Sequence, residues 1–237
     1  MRRAFLFLAI TLGTRSARAQ EWFSLAVRQD ASLLAGDDVC AAAQQAAGEF
    51  ACFRGDGAQY LGTPDPKVPA RVRGLALATT RVMLSFQHFL VPQLALGGGV
   101  GMAFGGGPKP VGADANAFLP LHVEATLAWW PWRTPERAGG VRPFVRVGGG
   151  IGQVDAQTAL RVREDPNAVP SPMQLDNPRE QTVAVWEKAG TGQVHAGIGA
   201  ALALHRRWLL TLGALARASF PAPGIGGGAE LGVVFTP

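Results

Sequence analysis

The sequence predicts an all-β chain, an eight-stranded antiparallel up-and-down barrel that crosses a membrane with its strands. Three observations carry this. Successive stretches alternate strictly between greasy residues and small or polar ones, as strands with two different surroundings do. Charges fall on the small-residue faces and stay off the centres of the greasy ones. The connections between stretches fall into a long set and a short set. A membrane-crossing strand needs about 9–11 tilted residues, and the better stretches reach that length.

The chain opens Met-Arg-Arg, runs apolar from Ala4 to about Leu12, and offers Ala17-Arg18-Ala19 before Gln20. A charged start, a short apolar run and a small-x-small site read as a secretory signal, residues 1–19. About ten apolar residues are too few for a spanning helix. Four of the 22 basic residues leave with this segment, so 18 remain against 17 acids. The mature chain, 20–237, is near neutral and is read as one domain, which removes the case for nucleic acid as a partner.

The first strand is Trp22–Arg28, with Phe23, Leu25 and Val27 on one face and Ser24, Ala26 and Arg28 on the other. A long segment, about 29–72, follows. It carries a helical stretch at Ala41–Ala47 and both cysteines, Cys40 and Cys52. An exported chain with an isolated close pair is read as disulfide-bonded; a metal site would want more ligands. The second strand, Leu75–Gln87, sets Ala76, Ala78, Val82, Leu84 and Phe86 against Arg81, Ser85 and Gln87. The third, Gln93–Phe104, has an inner face of glycine and alanine. Its Gly97–Gly101 run resembles a phosphate-binding loop, but no helix pattern follows it.

The fourth strand, Leu119–Trp129, is the clearest: Leu121, Val123, Leu127 and Trp129 outside, His122, Glu124 and Thr126 inside. The fifth, Val141–Ile151, puts Arg142, Arg146, Gly148 and Gly150 inside. A polar segment, about 155–190, comes next. Gln193–Leu204 and Trp208–Phe220 form a hairpin across His205-Arg206-Arg207. Gly227–Phe235 is the last strand, with Glu230 inside. Long connections follow strands 1, 3 and 5 and a short one follows strand 7; tight ones follow strands 2 and 6, and about ten residues follow strand 4. Outer-membrane barrels have long outer loops and short periplasmic turns. The aromatics Trp22, Trp129, Trp130, Trp132, Trp208 and Phe235 then fall at the periplasmic rim, as an interfacial girdle.

The chain resembles the small eight-stranded outer-membrane barrels of the OmpA/OmpX-like class, by pattern over the whole mature length. Its closing strand, Ala229-Glu-Leu-Gly-Val-Val-Phe235, resembles that class's C-terminal assembly signal; Thr236 and Pro237 trail the aromatic, a departure from it. The resemblance implies outer-membrane lipid and the barrel-assembly machinery as partners.

The inner titratable residues are Arg81, His122, Glu124, Arg142, Arg146, His195, Arg217 and Glu230. Arg or Lys on the lipid face at the midplane costs about 2–4 kcal/mol. A barrel of eight strands is just wide enough to be filled by side chains, and buried charges need partners. An internal network is expected, with Arg81 or Arg146 on Glu124 and Arg217 on Glu230. The functional expectation is a non-enzymatic surface or structural protein with a filled lumen, its outer loops open to a protein partner. The alternatives are a narrow pore and a lipid-modifying enzyme. For the enzyme, Ser85 and His88 lie close in sequence but on opposite faces, and no Gly-x-Ser-x-Gly elbow is present. No cofactor or metal is called for.

Overall fold

In the computed structural model, residues 21–111, 117–131, 140–169 and 178–237 are described. The expected signal segment and Trp132 lie outside them. Eight strands form a ring: β1 (Glu21–Asp38), β3 (Arg71–Val91), β4 (Leu94–Phe104), β5 (Leu121–Trp129), β6 (Val141–Ile151), β9 (Gly192–His205), β10 (Trp208–Phe220) and β11 (Gly224–Phe235). Each pairs antiparallel with its neighbours. β1 closes the ring, pairing with β11 on one side and β3 on the other.

Alternation sorts the side chains. Leu84, Leu127, Ile198, Leu212 and Leu231 face outward and are exposed, while Arg28, Arg81, His122 and Glu230 face inward and are buried. Along β1 the outward apolar series starts at Phe23 and reaches Leu33. Ten residues at about 3.3 Å each, tilted by roughly 40°, rise about 25 Å, the height of a membrane belt.

One bulge reverses a face. Gln29 lies opposite Thr80, but Ala31 lies opposite Leu77, so two steps on β1 match three on β3. An inserted residue flips every side chain beyond it. Unbroken alternation puts Ala76 and Ala78 outside. In the fold Leu75 and Leu77 are outside and Ala76 is buried.

The segments 29–72 and 155–190, expected as long connections with one helical stretch at Ala41–Ala47, hold strands as well as that helix. β1 runs on to Asp38 and β3 begins at Arg71. Between them lie α1 (Ala42–Ala46) and β2 (Phe50–Phe53); β7 (Asp155–Arg163) and β8 (Glu180–Lys188) form a hairpin. β7, β8 and β2 extend the sheet from the edge of β3. They cover the inward face of the β1–β3 extension with a core of Leu34, Tyr60, Val72, Val162, Val183 and Val185. The short strands escaped the sequence reading because prolines and polar residues surround them. Cys40 and Cys52 are joined as a disulfide across this layer, with Cα atoms 5.4 Å apart. Gln45 of α1 braces it, donating to the carbonyls of Cys40 at 3.0 Å and Tyr60 at 2.7 Å and accepting from the Cys52 amide at 3.1 Å.

Candidate functional site, a filled lumen

The interior has three levels. At the short-turn end sits an aromatic plug. Trp22 lies 4.7 Å from Phe89 and 5.0 Å from Trp130, and Trp130 lies 4.8 Å from Phe144. Trp22 and Trp130 are 2% and 4% exposed. This corrects their expected place in the girdle. Trp22 is in phase with inward Arg28, and Trp130 is one residue past outward Trp129, so alternation turns both inside. Trp129 and Trp208 do face outward, and Phe235 is half-buried beside Trp208.

The middle level is ionic. Arg28 is its hub. Its guanidinium donates to Glu230 at 2.7 and 2.9 Å and to Glu124 at 3.0 and 3.1 Å. Arg146 donates to the other Glu230 oxygen at 2.7 Å. A second centre is Asp30, held by Arg81 and, at 3.3 Å, by Arg217. His122 joins the two centres: its ring lies 3.1 Å from both Arg81 and Glu124. A ring with Nε2–H donating to Glu124 and Nδ1 accepting from Arg81 fits both contacts. Gln193 reaches the same ring at 2.8 Å. His195 stands 4.0 Å from Glu124.

The fold thus gathers Arg81, His122, Glu124, Arg146, His195, Arg217 and Glu230 into one buried cluster. Arg142 stands half-buried in β6, nearer the turn end. The pairings differ from those expected. Arg217 and Arg81 serve Asp30, Arg146 serves Glu230, and Glu124 takes Arg28. Sequence reasoning set Arg28 on the small-residue face but left it out of the network, and it missed Asp30 because it ended the first strand at Arg28. The signal was there: Ser24, Ala26, Arg28, Asp30 and Ser32 continue one two-residue series.

Between plug and network is a cavity of about 40 Å³, bordered by Ser24, Ser85, Thr126 and Thr211. At about 10–15 Å³ per water centre it has room for a few waters. Ser85 faces this cavity, whereas His88 is part-exposed and lies 4.0 Å from Glu21. The two do not meet.

The third level closes the other mouth. Lys188 donates to Asp155 at 3.0 Å and to the Gly107 carbonyl at 3.1 Å, and the Gly107 amide donates back to Asp155 at 2.9 Å. Gln153 donates to the second Asp155 oxygen at 2.8 Å. This latch draws the segment after β4 over the lumen. Above it, Tyr60 is fully buried, and burial, with the neighbouring Glu164 carboxylate, holds its phenol protonated well above the usual tyrosine range.

No protein-family model matches the chain, and no curated protein matches it by sequence. Similar solved structures include the N-terminal β-barrel domain of Pseudomonas aeruginosa OprF, at 9% identity and TM-score 0.38, over 92% of this chain and 100% of that one. Neisserial surface protein A is similar at 8% identity and TM-score 0.43, over 92% and 97%. Ail, the attachment invasion locus protein of Yersinia pestis, is similar at 10% identity and TM-score 0.40, over 92% and 99%. All three are small outer-membrane β-barrels, the class the sequence resembles. The ring itself rests on the chain's own strand pairing.

Proposed function

We propose that this chain is an integral outer-membrane protein whose barrel is a filled, non-conducting anchor. Its role is structural or surface-interactive and not catalytic. Residues 1–19 direct export and are cleaved, and the closing strand engages the barrel-assembly machinery. The disulfide-pinned layer of β2, β7 and β8 stands at the outer surface and is the part that meets a protein partner, since rigid scaffolds carry function on their connections.

One observation carries this reading: an apolar exterior around a closed ring whose mid-strand charges, Arg28, Asp30, Arg81, Glu124, Arg146, Arg217 and Glu230, are turned inward and meet one another. In water that exterior would be a large exposed apolar surface, far beyond the few hundred Å² a soluble monomer shows. In lipid every backbone group is satisfied by the closed ladder. The filled lumen is supported by the aromatic plug, the ionic level and the Lys188–Asp155 latch in series.

Envelope fractionation and a gel run with and without boiling test the membrane reading. An outer-membrane band whose mobility shifts on boiling is expected. A soluble periplasmic protein without a shift would sink it. Planar bilayers test the lumen: sustained conductance steps would favour the narrow pore. Turnover in a lipid A deacylation assay would favour the enzyme.

A further inference from the structure

The outer belt is not uniform. A groove of about 810 Å³ crosses the outside of β10, β11, β1, β3 and β4. Its rim is aromatic. Trp208 lies 5.0 Å from Phe235, and Phe23 lies 5.3 Å from Phe86. The registers Trp208↔Phe235, Phe235↔Phe23, Phe23↔Phe86 and Phe86↔Gly98 set these residues in one row across the strands.

Gly98 ends the row, and it differs from its neighbours. A Cβ at Gly97, Gly99 or Gly101 would come within 2.5, 2.9 or 2.3 Å of existing atoms, so close packing inside the barrel demands those glycines. At Gly98 the nearest atom would be 3.5 Å away, an ordinary contact. Packing does not demand glycine there. What its missing side chain does is lower the groove floor beside Phe86.

The groove's volume lies in the range of ligand clefts, about 300–1,000 Å³. Such clefts normally carry a few convergent polar groups. This one does not: Ser24 and Ser85 border it, but both also line the interior cavity and belong to the inward-facing set. Its occupant is therefore hydrocarbon. At its foot the β9–β10 turn places Arg206 and Arg207, both exposed, immediately before Trp208. Aromatics at the interface with basic residues beside them match a lipid's boundary between chain and anionic headgroup. Glu21, on β1, lies 4.0 Å from His88.

We propose that this groove is a phospholipid site. One acyl chain lies along Gly98 and Leu84 under the aromatic row, and the headgroup phosphate meets Arg206 and Arg207. Four strand spacings of about 4.8 Å separate β4 from β10, about 19 Å in all. With the strands tilted by roughly 40°, that row climbs about 12 Å, within the depth of one hydrocarbon leaflet, about 15 Å. The site rests on the membrane reading above.

The test is native mass spectrometry of the folded protein in detergent, titrated with phosphatidylglycerol and, separately, phosphatidylethanolamine. The wild type is expected to retain one phospholipid, with phosphatidylglycerol preferred. Gly98→Leu fills the floor and should cut retention at least tenfold. Arg206→Ala/Arg207→Ala alters only an exposed turn and should erase the headgroup preference. Ala196→Leu, on the outer face of β9, should change nothing. Retention in Gly98→Leu equal to wild type, an equal loss in Ala196→Leu, or a headgroup preference that survives the double arginine variant overturns the site. So does a protein dimer that Gly98→Leu dissolves, since the groove would then seat a second copy. Heat-shifted mobility is scored on the same samples. A wild type that shifts but retains no lipid defeats this site alone; a wild type without the shift defeats the membrane reading as well.

Discussion

Arg28→Met tests the ionic hub most directly. Methionine keeps much of the side chain's length and packing but removes the guanidinium. Four hydrogen bonds of 2.7 to 3.1 Å disappear. Two carboxylates remain, each less than a tenth exposed. Glu230 keeps Arg146 at 2.7 Å, while among the described residues Glu124 keeps a hydrogen bond to His122 at 3.1 Å and the more distant His195 at 4.0 Å. Glu124 is thus the group left short. Deleting one partner of a buried ion pair costs about 3–5 kcal/mol, because the other charge stays buried. Removing the stranded charge as well costs far less. Arg28→Met alone should therefore lose about 3–5 kcal/mol, and adding Glu124→Gln should recover about 2 of it, a coupling of the size found between residues in direct contact. The assay is urea unfolding of protein reconstituted in lipid vesicles, followed by unboiled gel mobility and tryptophan emission. The midpoint should move without a change in slope. A loss below about 1 kcal/mol, or a double variant as unstable as the sum of its singles, refutes the hub.

Three further predictions follow from the plug and the outer layer. Trp22→Ala removes a fully enclosed ring; it should cost about 3–5 kcal/mol, and single-channel recording will show whether conductance stays flat, as expected while the ionic level and the latch still close the lumen. Replacing Cys40 and Cys52 by serine opens a short loop, worth about 3 kcal/mol to the layer it pins; limited proteolysis should then cut within 39–60 while the heat-shifted barrel core persists, and unchanged resistance counts against the pinned layer. Tyr60 is the chain's single tyrosine, so tyrosinate absorbance reports it alone. With its folded value raised, the contribution of its neutral form is complete below about pH 10, the unfolded value, and is lost as pH rises through the folded value; ionisation of the native protein near pH 10 would show that the outer layer is not packed as described.

The parts of the fold legible in sequence were those set by strict alternation. Leu121, His122, Val123, Glu124, Thr126, Leu127 and Trp129 all sort to the expected face, because each side of a membrane strand meets a different medium along its whole length. Three things hid the rest. A bulge carries no residue signature here, so Ala76 was assigned to the wrong face although Val82, Leu84 and Phe86 on the same strand were not. Pairing is a matter of register: Arg217 stands beside His195 and Gly226 on its neighbouring strands and reaches Asp30, a residue beyond the point where the first strand was ended. Aromatics carry no address of their own. Trp129 and Trp130 are adjacent, yet one faces out and the other plugs the lumen, and only their phase distinguishes them.

The bulge also explains a polar pair that the belt would otherwise exclude. Gln29 and Thr80 lie opposite each other on the outer face, with Val27 and Val82 below them and Leu33, Leu75 and Leu77 above. A slipped register disturbs the backbone ladder at this point, and within hydrocarbon no water replaces a lost partner. Gln29 repairs it. Its amide nitrogen donates to the Ala78 carbonyl at 2.8 Å and to the Asp30 carbonyl at 3.0 Å. Its oxygen accepts from the Thr80 hydroxyl at 2.6 Å. The pair is closed on itself and presents little demand to the surrounding chains. The slip has a structural use as well. It turns Ala76 inward and lets β7 join β3 at the Ala78↔Ala156 bridge, where the second sheet departs from the barrel. Gln29 thus marks where an anchor strand becomes part of the surface layer, and its polarity follows from that change of role.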